Sequence, residues 1–174
     1  MISEKMKQIL NEQVQKEFYT AYLYLSMEAY FDEQNLKGFA HFFRVQVQEE
    51  RDHAMMFFKY ISYVQGNAKL LQIDQPVTTF NSPLDVFKLA YNHELFITNS
   101  IYKIIDFSLE EKDHKTNAFL QWFVNEQAEE EANMDDKIKK LQLIDNDGRG
   151  ILMLDQELMA RVYTPLINPA LGVI

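Results

Sequence analysis

The chain has 174 residues, 47% hydrophobic and 13% aromatic, which is enough for one domain with a real core and too apolar for a disordered segment. Asp and Glu number 26 against 17 Lys and Arg, so the formal charge of −9 argues against a nucleic-acid partner and suits attraction of cations. There is no cysteine, which excludes disulfides and thiolate ligands and fits a cytoplasmic protein; MISEKMKQIL has no apolar signal core, and no apolar run approaches the about 20 residues a membrane span needs, so no membrane association is expected.

Glycine occurs only at 38, 66, 148, 150 and 172, and proline only at 76, 83, 165 and 169, so long stretches carry no breaker. Apolar residues between the breakers recur at helical spacing, which predicts helices over about 4–32, 36–64, 84–110 and 114–143, and a shorter one over about 150–163. The tetrapeptide DEQN (32–35) separates the first two helices and EEKD (110–113) the second two. Ser82-Pro83 reads as a cap followed by proline at the first helical position, and Asn146-Asp147-Gly148 as a stop signal. The link over 65–82 is long enough to run the length of a helix. The expectation is an all-α bundle of four helices, two hairpins joined by one long crossover, with the second and third helices parallel and a short fifth helix at the C-terminal end.

The inward stripes of all four helices are interrupted near the middle by polar residues. The stripes run through Leu10, Val14, Glu17, Ala21 and Tyr24, then Phe43, Gln46, Glu50, His53 and Phe57. They continue through Phe87, Tyr91, Glu94, Ile101 and Ile105, and finally Phe123, Gln127, Glu130 and Met134. The interruptions repeat: Glu17 to Glu50 and Glu94 to Gln127 are both 33 residues, and Glu50 to His53 and Gln127 to Glu130 are both three. A shift of 77 residues carries Glu17, Glu50 and His53 onto Glu94, Gln127 and Glu130. Each pair is equidistant from its turn, so antiparallel packing brings six polar residues to one height. Burying four carboxylates together costs several kcal/mol each unless protons or cations neutralise them. Carboxylates with one imidazole suit iron or manganese, and Glu50 and His53, three apart on a helix, can reach the same ion.

The set Glu17, E50-R-D-H53, Glu94 and Q127-A-E-E130 resembles bacterial non-haem ferritin over residues 1–163, in spacing and in helix order. The resemblance implies a ferritin-like four-helix bundle that oxidises Fe(II) with O2 or H2O2 at a di-iron ferroxidase centre within one subunit. It also implies a homo-oligomeric shell of twenty-four subunits that stores ferric mineral. One iron would take Glu17, Glu50 and His53, the other Glu50, Glu94 and Glu130, with Gln127 beside them. A third iron site would take Glu49, Glu126, Glu129 and Glu130. Tyr24 and Trp122 match aromatics that supply an electron or orient ligands. In haem-containing bacterioferritin the fourth helix repeats Glu-x-x-His and a methionine follows the bridging glutamate; here Gln127-x-x-Glu130 and Arg51 stand instead, so no haem is expected.

Competing readings are a small di-iron oxidase without storage, a DNA-protecting mini-ferritin, and a purely structural bundle. Glu131, His41, His93 and His114 read as surface residues. Glu110, Glu111 and Asp113 read equally as a solvated turn and as a cation entry. Apolar residues on the fifth helix (Ile151, Leu152, Leu154, Leu158, Met159, Val162) suggest burial between subunits, and the apolar tail 164–174 has no assigned role.

Overall fold

A computed structural model describes residues 2–145 and 147–171; Asn146 of the stop signal and the last three residues of the tail lie outside the described residues. Five α-helices and a terminal 3-10 turn account for the regular structure among them: α1 Glu4–Glu33, α2 Lys37–Tyr63, α3 Pro83–Glu110, α4 His114–Ile144 and α5 Gly148–Leu158, followed by Pro169–Leu171.

Local chemistry sets these boundaries. The Ser3 side chain accepts from the Met6 amide, Ser82 from Asp85, Asp113 from Thr116 and Asp147 from Gly150, so four helices begin on a side-chain cap. α2 begins instead at Leu36, which offers no cap. Its first-turn amides at Gly38 and Phe39 both donate to Asp155 Oδ1 of α5, at 2.7 and 3.0 Å. That docking requires a glycine, because a Cβ at Gly38 would lie 1.6 Å from the Asp155 carbonyl oxygen. α4 ends on Asp145, whose φ of 44° is the left-handed conformation that closes many helices.

The fifth helix stops at Leu158 rather than near 163. Pro165 bars helix just beyond it, and the intervening chain is drawn onto α2. Arg161 Nη2 meets Glu49 Oε2 at 2.5 Å, while Tyr163 Oη and the Leu166 amide both donate to Asp52 Oδ2, at 2.7 and 3.1 Å. Asn168 then donates to the Phe119 carbonyl of α4, and Leu171 is buried. The tail therefore has a role the sequence did not disclose: it straps α2 to α4. On α5 itself, Leu154 and Leu158 are buried against the chain's own bundle, whereas Leu152, Met153 and Met159 stay exposed. Val162, in the strap beyond the helix, is exposed as well.

The crossover lies along α1. Asn11 accepts from the Lys69 amide and donates to the Asn67 carbonyl; further on, Ser26 donates to the Val77 carbonyl and Phe80 packs on Tyr30. The link thus travels in the direction of α1 and starts α3 at the end where α2 also starts, leaving α2 and α3 parallel. On α3 Phe87, Glu94 and Ile101 are buried as expected, joined by Val86, Ala90, Ile97 and Ile104, while Tyr91 and Ile105 are half-buried at the edge of the stripe.

Two hydrophobic clusters fill the bundle. One is built around Phe31, Phe39, Phe43 and Phe87, the other around Leu10, Phe57, Ile101 and Phe119. Between them lies a buried polar layer containing Gln13, Glu17, Thr20, Gln46, Glu50, His53, Glu94, Thr98, Gln127 and Glu130.

Candidate metal centre

A domain of this size does not bury four carboxylates between two apolar clusters without a reason, since each charged group loses its hydration there. Glu17, Glu50, Glu94 and Glu130 are each 3% exposed or less, as are His53 and Gln127. One ligand atom from each of Glu17, Glu50 and His53 lies within 4.8 Å of the others, a spacing that one ion can bridge. The three also carry polar atoms with no hydrogen-bond partner: Glu17 Oε2, Glu50 Oε1 and His53 Nε2. Buried polar atoms are ordinarily satisfied, so the close spacing of these three makes the cluster a candidate cation site; Gln46 Oε1 and Gln127 Oε1 in the same layer also lack a partner.

Electrostatics inside the layer follow from burial. Burial pushes the carboxyls of Glu17, Glu50 and Glu94 above the ordinary carboxylate range, and it raises Glu130 to about 7 with help from the nearby Glu94 charge. For His53, burial disfavours the charged ring, yet Glu50, Glu126 and Glu17 outweigh that and hold its proton well above the ordinary range. His53 Nδ1 sits 3.1 Å from Glu50 Oε2, and Nε2 is 3.7 Å from Glu126 Oε1. All of these shifts favour bound protons in the metal-free layer. A cation entering it displaces them.

The remaining predicted residues fall on both sides of that cluster. Tyr24 is fully buried and donates to Glu94 Oε1, while Gln127 Nε2 donates to Glu94 Oε2 at 2.9 Å. Both oxygens of Glu94 are therefore engaged. Glu130 Oε2 accepts from Gln46 Nε2 at 2.9 Å. Trp122 is half-buried, with its ring edge-on to His53 at 5.8 Å. Of the three further acids, Glu126 reaches His53, whereas Glu49 and the exposed Glu129 line one open groove on the α2/α4 face together with Arg161. The Glu49 carboxyl is raised to about 7 by burial, against the opposing pull of the Arg161 guanidinium.

Three surface assignments change, the first being His41, which is half-buried with Nε2 2.7 Å from the Arg161 carbonyl oxygen. Glu131 is half-buried and accepts from Thr98 at 2.6 Å, because the α3/α4 contact brings Thr98 onto its face. His93 is half-buried against Thr20 at 2.8 Å, and burial lowers its pKa to about 4. Sequence reasoning missed Gln13 and passed over Gln46 as plain stripe. Their signal was visible: each stands four residues before a candidate ligand, Glu17 or Glu50, on the same helix face.

Comparison with known proteins places the chain. A family model described as "Ferritin-like domain" matches residues 7–144. The bacterial non-haem ferritin of Campylobacter jejuni is 41% identical over 156 residues, covering 90% of this chain and 93% of that protein. The corresponding protein of Staphylococcus aureus is 33% identical over 163 residues, covering 94% and 98%. Among solved structures, an open-pore ferritin from the archaeon Archaeoglobus fulgidus superposes with a TM-score of 0.92 at 47% identity, covering 93% of this chain and all of that one. With the fold, the polar layer and these relatives in agreement, the chain belongs to the ferritin family.

Proposed function

We propose that this protein oxidises Fe(II) at the buried centre and stores the ferric product in a homo-oligomeric shell. The observation that carries the proposal is the Glu17–Glu50–His53 cluster, in which three buried ligand atoms lie within reach of one ion and each residue keeps an atom without a hydrogen-bond partner. Fe(II) is the substrate. Two Fe(II) ions give up one electron each; O2 with two protons becomes H2O2, or H2O2 with two protons becomes two waters. Glu17, Glu50 and His53 bind the first ion, and Glu50, Glu94 and Glu130 the second, with Gln127 and Tyr24 holding Glu94 in place. Glu49, Glu126 and Glu129 form a third, outlying site. Oxygen, nitrogen and carboxylate donors of this kind favour ferric over ferrous iron and leave positions open for the oxidant.

The shell rests on kinship with ferritins, including the open-pore archaeal one, and on the exposed apolar residues Leu152, Met153 and Met159 of the α5 region and Val162 beyond it, which a neighbouring subunit would cover. No described helix is long and apolar enough to cross a membrane.

The test is to load Fe(II) without air, admit O2, and follow ferric absorbance. The expected result is rapid oxidation by the wild type, lost in Glu50→Ala with His53→Ala. Oxidation at the wild-type rate in that double variant would remove the site from consideration. A storage shell of twenty-four 20.6 kDa chains elutes near about half a megadalton, which separates it from a small di-iron oxidase.

A further inference from the structure

Outside the ligand cluster, one buried hydrogen-bond chain leads to it from the far side of the α1/α3 pair. Lys16 Nζ donates to Ser100 Oγ at 2.7 Å, Ser100 Oγ donates to Gln13 Oε1 at 2.6 Å, and Gln13 Nε2 donates to Glu17 Oε1 at 2.8 Å. Gln13 and Glu17 are at most 1% exposed, and Ser100 is 6% exposed. Lys16 stands half-buried at the outer end, with Phe96 beneath its ammonium.

The sense of this chain is set at one end. An ammonium has three donors and no acceptor, so Ser100 has to accept from Lys16. The single hydroxyl proton of Ser100 is directed to the next link, where Gln13 presents Oε1 to it. The amide nitrogen of Gln13 is thereby turned toward Glu17, and the usual ambiguity between the two ends of an amide disappears. Glu17 Oε1 is committed to that nitrogen, which leaves Oε2 as its one oxygen without a partner.

Nothing in the 77-residue repeat demands such an arrangement, because the position matching Gln13 in the second hairpin is Ala90 and the one matching Lys16 is His93.

We propose that Lys16, Ser100 and Gln13 are positioning residues that lock the Glu17 carboxylate so that it meets the metal through a single oxygen. The proposal rests on the reading of Glu17 as a metal ligand. Lys16 acts through the other two and touches no reacting atom; its role is to give the chain a direction. A neutral residue in its place releases Ser100 to turn its proton elsewhere, frees the Gln13 amide to flip, and lets Glu17 rotate or chelate through both oxygens. Any other donor-only cation able to reach Ser100 restores the order.

Co(II) added without air to the assembled full-length protein reads this directly, since its visible spectrum reports ligand number and geometry while a titration reports affinity. Lys16→Met, a substitution at a half-exposed position, is expected to weaken Co(II) binding at the first site by about 10–100-fold, the range for residues that orient a ligand. It is also expected to alter the visible bands while leaving helix content unchanged. Ser100→Ala and Gln13→Leu should change the bands in the same sense, and Lys16→Arg should return both affinity and spectrum to those of the wild type. A merely structural chain would shift the melting temperature of the metal-free protein and leave the Co(II) spectrum alone. Wild-type affinity and spectrum in Lys16→Met overturn the proposal, and so does failure of Lys16→Arg to restore them. Co(II) binding that survives Glu50→Ala with His53→Ala takes down the metal-centre reading itself, and the positioning role with it.

Discussion

The two helical hairpins carry the same polar pattern and use it differently. In α1/α2, Glu17, Glu50 and His53 each keep an atom without a partner, and these residues lie within bridging distance of one ion. In α3/α4, both carboxylates accept hydrogen bonds, one from within the hairpin and two from α1 and α2, and among the buried atoms of the matching residues Gln127 Oε1 alone is left without a partner. Gln127 donates to Glu94, Tyr24 takes the other Glu94 oxygen, and Gln46 holds Glu130. Two exchanges account for the contrast: the carboxylate of Glu50 becomes the amide of Gln127, and the imidazole of His53 becomes the carboxylate of Glu130. An amide brings its own donors, so it closes the network that a second glutamate would have left open to a cation. The first hairpin offers a candidate cation site with free atoms, and under the proposed function the second has to give up hydrogen bonds before it takes part.

Exchanging the two patterns gives the largest expected effect. Glu50→Gln with His53→Glu copies the second hairpin into the first, and Co(II) affinity at the centre should fall by more than about 100-fold in an anaerobic titration, beyond what losing an orienting partner costs. The reverse copy, Gln127→Glu with Glu130→His, removes the donor that Glu94 relies on. The metal-free protein should lose about 1–3 kcal/mol in denaturant unfolding, and metal should then raise its melting temperature by more than it raises that of the wild type.

Titration sharpens the same contrast. Glu17, Glu50 and Glu94 all hold protons more tightly folded than unfolded, and Glu130 rises from 4.5 to about 7. Through these four carboxyls the folded state binds more protons between pH 4.5 and about 7, which outweighs the single opposing shift of His93, lowered to about 4, and the stability of the metal-free protein declines as pH rises through that window. The raised His53 contributes in the same direction, because its favourable charge is lost as pH increases. Melting curves from pH 4.5 to 7.5 should fall without metal and flatten when Co(II) replaces the protons; a rise without metal would contradict the protonated layer. The smallest effect lies far from the centre. Asp155→Ala should cost about 1 kcal/mol, as loss of a helix cap does, and should speed hydrogen exchange at the Gly38 and Phe39 amides.

Much of this was legible in the sequence, for reasons that also mark where legibility ends. Stretches free of glycine and proline exposed four helices, and the intervals of 33 and 77 residues aligned Glu17, Glu50, His53, Glu94, Gln127 and Glu130 because a bundle turns regular spacing into equal height. Contacts without a period left no such mark. Gln13 with Ser100, Glu49 with Arg161, and Gly38 with Asp155 join residues 87, 112 and 117 apart, each by a bond that only the folded chain brings about. The end of α5 was misjudged because Met159 and Val162 continue its apolar pattern while Arg161 and Tyr163 are pulled onto Glu49 and Asp52 of α2. Glu131 looked like solvent-facing charge because nothing in its own helix announces Thr98 across the α3/α4 contact.

The cap that α5 lends to α2 also orders events during synthesis. Asp155 follows Gly38 by 117 residues, so at about 5–20 residues per second the ribosome needs roughly 6–23 s after making the first turn of α2 before it supplies the carboxylate that closes it. Throughout that interval the hairpin bearing Glu50 and His53 has an open end, since Leu36 provides no cap of its own. One of the first helices to be made is completed by the last one.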